Sequence, residues 1–227
     1  MQCHGSANLA TAIPNWVPPE IDPDADNAAS RGTYMHELFA GVAGLSTKDM
    51  RMMAMAIEYV ADIRGRRRFQ VLIEQSVEVR WLRTRPKTIA DLVLYVADEM
   101  HIFDLKTGTI PVEARENAQM LYYAATYGEL APKAKGVYLH IVQPWADNME
   151  AWFASTARIG QFMAEAKTAE QRIQMGDVSL MPGDYCQFCA ANPHSRAPKG
   201  RPYCPAMMQL LYPQVAVDED AVLQLGE

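Results

Sequence analysis

The 227-residue chain has little of several things, and each scarcity excludes something. Cysteine occurs four times, at Cys3, Cys186, Cys189 and Cys204. That is too sparse for a disulfide framework but enough for one metal site. No apolar run approaches the roughly 20 residues of a membrane span. The opening MQCHGSANL lacks a basic segment followed by an apolar one. The expectation is therefore a soluble protein of a reducing, cytoplasmic compartment, with no membrane partner. Positive charge is the minority sign: 21 Lys+Arg stand against 27 Asp+Glu, a formal charge of -6. A uniformly basic nucleic-acid wrapper is excluded, but a locally basic groove is not. Aromatic residues, at 9%, are too thinly spread to establish a base-stacking surface by themselves. What the chain does have is 49% hydrophobic residues, which excludes wholesale disorder.

The pattern changes period along the chain. Residues 1–30 read as irregular, with Pro, Asp and Asn clustered in PNWVPPEIDPDADN. Ser30 is a candidate cap for a helix carrying RGTYMHELFAGVAG. Ser46, with Asp49 three positions on, marks the start of a second helix. Its Met and Ala residues recur every three or four positions, the spacing of a core stripe. Strands are expected at 69–82, 88–96 and 99–105, the last two as an antiparallel hairpin. A helix over 115–128, a strand over 136–144 and a long helix over 147–175 follow. The tail from 181 is Pro-rich and loop-like and holds three of the cysteines. This order predicts an α/β fold: a central mixed sheet flanked by helices, with a C-terminal cysteine-rich segment.

Chemistry concentrates in the strands. Asp91 interrupts the apolar TIADLVLYV, where an unpaired carboxylate would be expensive. Asp104 ends HIFDL and Lys106 follows two residues later, on the same side of an extended chain. Carboxylates on neighbouring strands can share a divalent cation such as Mg²⁺, with the Leu105 carbonyl as a further ligand. The lysine would orient or help deprotonate an attacking water. The plain alternative is a solvated Asp-Leu-Lys at a strand end. His36 in GTYMHELF becomes a ligand only if its helix faces the carboxylates; Glu37, one position on, points elsewhere. Gln119 and Tyr123 are four apart and share one helical face.

Cys186 and Cys189 form a CxxC, with Cys204 fourteen residues beyond and Cys3 available to complete a set. Four thiolates suit Zn²⁺ or an iron–sulfur cluster; His194 is a substitute ligand in the zinc case. Between 64 and 87 lie eight basic residues: Arg64, Arg66, Arg67, Arg68, Arg80, Arg83, Arg85 and Lys87. Only Glu74 and Glu78 oppose them, so the stretch is locally +6. It is either a phosphate-backbone contact or a solvated hinge. Trp81 and Tyr34 are candidates for stacking on bases, and Lys199 and Arg201 for further DNA contacts.

In order, GTYMHE, IADLVLY, FDLKTG and QMLYY resemble the motifs of the RecB-like branch of the PD-(D/E)XK nuclease superfamily. The cysteine arrangement resembles that of AddB-type and CRISPR-adaptation nucleases, although the gap from Cys189 to Cys204 is longer than is usual there. CHGSANL and SRGTYMHEL resemble a phage-associated family of such proteins. The resemblance covers nearly the whole chain. It implies a restriction-endonuclease-like core and a single nuclease domain over 1–227. Segments 1–30 and 181–210 would be joined by a metal cluster. It implies that His36, Asp91, Asp104 and Leu105 bind Mg²⁺ or Mn²⁺, and that Lys106 assists the water. Gln119 and Tyr123 would support the site. Asp104 stands where relatives often carry Glu. Cys3, Cys186, Cys189 and Cys204 would hold a structural 4Fe–4S cluster, with Zn²⁺ as the alternative. The implied activity is a Mg²⁺- or Mn²⁺-dependent exonuclease cutting single- or double-stranded DNA, with a role and a partner in phage recombination, in the host cytoplasm. The rival reading is a non-catalytic DNA-binding accessory module with a structural metal cluster.

Overall fold

The Met- and Ala-rich segment after residue 46 forms helix α1 (Thr47–Arg64). Good helix formers extend it, and Gly65 ends it with φ +55, its N–H donating back to the Ala61 carbonyl. Met53, Ala56, Val60 and Ile63 run down one side and face the sheet. In this computed structural model the described residues are 47–65, 69–96, 98–131, 133–177, 179–183, 186, 189 and 204–211. The expected irregular segment 1–30 and the helix after Ser30 lie outside them.

The chain divides into two compact units, one over Glu20–Ala166 and one over Met1–Pro19 with Lys167–Glu227. The first holds the sheet. Its strands are β1 (Phe69–Ile73), β2 (Ser76–Glu78), β3 (Lys87–Ile89), β4 (Leu92–Val96) and β5 (Glu99–Leu105). Then come helix α2 (Ala118–Tyr127), strands β6 (Gly136–Gln143) and β7 (Asn148–Ser155), and helix α3 (Thr156–Gln174), which runs on into the second unit. The main sheet has the order β1-β4-β5-β6-β7, and β2 and β3 pair separately. β5 and β6 are parallel and every other neighbour is antiparallel, so the sheet is mixed. β4 and β5 form the expected hairpin. β6 approaches β7 so closely at Gly136 that a Cβ there would collide with the Ala154 carbonyl and the Phe153 ring.

Both faces of the sheet are covered, which is why its central strands read as nearly continuous apolar runs. Leu92, Leu94, Val96, Phe103, Leu105 and Val142 pack against α1. Val93, Met100, Ile102, Val137, Leu139 and Ile141 pack against α2 and the first half of α3. This is a mixed sheet flanked by helices, consistent with a restriction-endonuclease-like core.

Four sequence expectations need correction. The single strand over 69–82 is two, because Glu74 turns the chain at φ +46 between β1 and β2. The strand over 88–96 breaks at Ala90–Asp91. The helix over 147–175 begins only at Thr156: Asp147 takes the left-handed conformation at φ +50, and Asn148–Ser155 then pairs along all of β6. The Ser155 hydroxyl accepts the Arg158 N–H and caps α3. In the second unit the tail carries a short helix, α4 (Pro205–Leu211), and is not wholly loop.

The α1 face buries two histidines. His101 Nδ1 lies 3.0 Å from His140 Nε2, and His140 Nδ1 lies 3.0 Å from the Tyr59 hydroxyl. His101 Nε2 is 3.7 Å from a Glu99 carboxylate oxygen. Burial, and secondarily the charge on His101, pushes the His140 imidazole down to about 3 from its usual 6.5. The unfolded chain therefore takes up a proton below pH 6.5 that folded His140 refuses. The stability associated with neutral His140 is complete above that pH and drains as pH falls toward 3. The expected loss is up to about 1.4 kcal/mol per pH unit in that window. Thermal unfolding at pH 7 and pH 5 checks it: the midpoint falls in the wild type, and His140→Phe flattens the dependence.

Candidate active site

The site is built where β4 parts from β5. β3 and β4 belong to different sheets, and the chain changes course at Ala90–Asp91. Tyr127 braces the change: its hydroxyl accepts the Ala90 N–H at 3.0 Å and donates to the Gln75 carbonyl at 2.7 Å. The Glu74 N–H holds the Asp91 carbonyl at 3.1 Å. The ladder ends with Leu92 opposite Phe103. One step further puts Asp91 opposite Asp104, on the α2 face of the sheet. Because β4 stops pairing there, the Leu105 N–H meets no backbone carbonyl. The Asp91 carboxylate accepts it instead, at 2.6 Å. Asp91 is 5% and Asp104 2% exposed.

Lys106 continues β5 by one rung, its N–H donating to the Val142 carbonyl at 2.9 Å. Its side chain therefore shares Asp104's face, and its ammonium lies 2.7 Å from Asp104 Oδ2. The same ammonium donates to Gln119 Oε1 at 2.8 Å. Gln119 Nε2 donates to Asp104 Oδ1 at 3.1 Å and to the Tyr123 hydroxyl oxygen at 2.8 Å. The cationic and anionic partners leave only one sensible orientation for this amide. Asn117 places Gln119 by capping α2, its side chain accepting the N–H groups of Gln119 and Met120. Tyr123 sits one turn further on. Burial pushes its hydroxyl up to about 12; the Gln119 hydrogen bond opposes the shift, and the Asp104 and Asp91 carboxylates add to it. Tyr123 is thus a neutral phenol at any physiological pH, with its own proton available to donate.

Five of the sequence-derived site residues therefore meet in one place: Asp91, Asp104, Lys106, Gln119 and Tyr123. Leu105 joins them through its backbone. His36 and Cys3 lie outside the described residues, as do Arg66, Arg67, Arg68, His194, Lys199, Arg201 and Tyr34. Among the described residues, no group of three or more His, Cys, Asp or Glu side chains is placed to hold a metal ion. In the second unit, Cys186 and Cys204 are buried and Cys189 is half-buried. The Gly183 N–H donates to Cys186 Sγ at 3.3 Å, and the Cys189 N–H to the Cys186 carbonyl at 3.0 Å. Of the basic stretch, Arg83, Arg85 and Lys87 are exposed around the turn between β2 and β3. The Arg64 guanidinium covers the Phe69 ring at 4.7 Å. Trp81 is not a stacking platform. It is buried against Tyr122 and Phe162, and its indole N–H donates to Thr126.

Sequence reasoning missed the supports: Tyr127, and Gln143 and Asn148, whose amides hold the backbone of the loop that follows Lys106. Gln143 carried a signal, as a polar residue closing the apolar run GVYLHIVQ. Tyr127 carried none beyond its place on the buried side of α2.

The model of the DUF2800 family, described as a protein of unknown function, matches residues 45–204, a span that includes Asp91, Asp104, Lys106, Gln119 and Tyr123. No curated protein matches the chain. Among solved structures it is similar to a "putative exonuclease" from Eubacterium rectale, at 12% identity. That likeness covers 92% of this chain and 86% of that one, with a TM-score of 0.48. It is also similar to SSO0001, at 14% identity over 70% of this chain and 75% of that one, with a TM-score of 0.38.

The brace under Asp91 is directly testable. Tyr127→Phe leaves the buried Ala90 N–H unpartnered, and denaturant unfolding should show a loss of about 1–3 kcal/mol. A loss within error of zero would mean that Tyr127 does not hold the break.

Proposed function

The chain belongs to the DUF2800 family, and we propose that it is a metal-dependent DNA exonuclease of the PD-(D/E)XK superfamily, RecB-like branch. The observation that carries the reading is the convergence of two buried carboxylates, a lysine, a glutamine and a tyrosine at one sheet end. A purely structural cluster has little use for two facing carboxylates at a strand break, since each must be compensated separately.

The donor set suits a hard divalent cation. Asp91 and Asp104 supply carboxylate oxygens, and the Leu105 carbonyl is directed to the Asp91 side, because a strand residue's N–H and C=O point to the same neighbour. His36 is the proposed fourth donor. When bound, Mg²⁺ or Mn²⁺ supplies a Lewis acid there and lowers the pKa of water. The chain's own groups do the rest. Lys106 orients the attacking water and offsets charge on the phosphate. Gln119 holds Lys106 and Asp104 at a fixed separation, and the Tyr123 hydroxyl donates to a phosphate oxygen. Arg64, Arg66, Arg67, Arg68, Arg83, Arg85 and Lys87 are proposed to hold the DNA backbone. A 4Fe–4S cluster on Cys3, Cys186, Cys189 and Cys204 is proposed as structural. The N–H donated to Cys186 Sγ suits a thiolate ligand.

Linear single- and double-stranded DNA, incubated with Mg²⁺ or Mn²⁺, tests the activity. Asp104→Ala and Lys106→Ala should each lower cleavage at least about 100-fold, with unfolding midpoints recorded alongside. Cleavage at the wild-type rate by either variant sinks the mechanism. A wild-type protein that binds DNA but never cuts it favours the accessory-module reading. Protein purified without air should be brown, absorb near 400 nm and carry about four irons per chain. Colourless protein carrying zinc replaces the iron–sulfur cluster with the alternative.

A further inference from the structure

The segment that leaves the site after Lys106 is built unusually. Residues 107–112 carry the chain away from β5, and one buried side chain fixes them. Gln143 is 0% exposed. Its Nε2 donates to the Gly108 and Ile110 carbonyls, both at 2.8 Å. Its Oε1 accepts the Val112 N–H and the Asn148 amide, both at 3.0 Å. Asn148 also donates to the Val112 carbonyl at 2.9 Å. Two amide side chains thus hold three residues of the loop by their backbone. A buried amide with every bond made is costly to displace, so the loop's shape is set from beneath.

Against that fixed backbone, the Ile110 side chain is 82% exposed. Its carbonyl is drawn inward to Gln143 while its side chain is left in water, and its neighbours Gly108, Thr109 and Pro111 are ordinary turn residues. Lys106 is four residues away, so the two Cα atoms are at most about 14 Å apart. That is the span of a few stacked bases at roughly 3.4 Å each.

We propose that Ile110 is the base-contacting tip of a preformed loop, resting on a nucleobase of the DNA next to the phosphate that the site attacks. The inference rests on the nuclease reading of the same site and adds how the strand is gripped. An aliphatic side chain has no use for a phosphate, but it packs on a base face or wedges a base step apart. A loop already ordered loses little entropy when it does so. Ile110 then supplies a sequence-tolerant contact, while the basic residues supply the charge-dependent one.

The experiment compares full-length wild type, Ile110→Ala and Ile110→Leu on linear DNA carrying 2-aminopurine near its end. Ile110 is almost wholly in water, so neither substitution endangers folding. Ile110→Ala should weaken DNA binding and raise KM roughly five- to twentyfold with kcat little changed. It should also reduce the 2-aminopurine fluorescence change on binding and leave the salt dependence as it was. Ile110→Leu should restore both readouts. Wild-type affinity and fluorescence in Ile110→Ala, on DNA that the wild type binds and cuts, overturn this inference alone. A wild type that neither binds nor cuts DNA overturns the nuclease reading and this inference with it.

Discussion

Two carboxylates buried opposite one another, where β4 leaves β5, set the terms for everything around them. Two carboxylates this close repel one another to the extent that both are ionised. Each would also lose hydration on burial. The surroundings answer these costs one by one. Asp91 takes the Leu105 N–H that the diverging strand leaves over. Asp104 takes the Lys106 ammonium and the Gln119 amide. Hydrogen bonds to a charged group contribute about 1.5–3 kcal/mol each, and these three offset part of that cost. The Gln119 bond is available only because α2 starts where it does. Asn117 caps that helix, and Tyr127 at its far end ties it to the Ala90 break. Helix position, strand break and charge balance are one arrangement.

Much of this was legible in the sequence. The β4–β5 hairpin follows from two apolar runs and a short turn, and Lys106 follows Asp104 at the spacing that puts both on one side of a strand. Gln119 and Tyr123 follow from helical spacing of four. The break at Ala90–Asp91 was not legible, because TIADLVLYV is a good strand by composition. What splits it is tertiary: Tyr127, thirty-seven residues away, captures the Ala90 N–H, and Glu74 captures the next carbonyl. β7 was misread for a different reason. NMEAWFAS runs into TARI without a glycine or proline, and Ala, Met and Glu favour helix. Pairing with β6 along eight residues outweighs that preference. The Ser155 hydroxyl, accepting the Arg158 N–H, marks where the helix starts.

The sheet also separates two kinds of buried polarity. On the α1 face, His101, His140 and Tyr59 form a hydrogen-bonded chain, with His101 stacked on Tyr138 and His140 on Phe103. On the α2 face lie the ionisable side chains of Asp91, Asp104 and Lys106. Burial keeps the His140 imidazole neutral. Carboxylates need cations, and so they lie at the sheet's end, where Lys106 is partly exposed. The net charge of -6 says nothing of this division. The ionisable groups that matter to the site are few and are buried or partly buried, whereas Arg83, Arg85 and Lys87 are exposed.

The end of the sheet is finished by side chains wherever backbone partners run out. Asp91 stands at the start of β4, Leu105 and Lys106 at the end of β5, Gln143 at the end of β6 and Asn148 at the start of β7. The strand directions bring all of them to one end. A loop-covered end would ordinarily satisfy its N–H and C=O groups with water and move accordingly. Here Asp91 closes the β4–β5 gap, Gln143 and Asn148 close the loop after Lys106, and Glu150 accepts the Ala114 N–H on the way to α2. Each substitution of a side chain for a backbone group removes a freedom that the chain leaving a strand would otherwise have. The stretch from Asp104 to Asn117 is thereby fixed at both ends and in the middle. It connects the carboxylate and lysine to the helix that bears Gln119 and Tyr123. A reaction that depends on groups held to a fraction of an ångström needs that connection more than it needs any one of the groups.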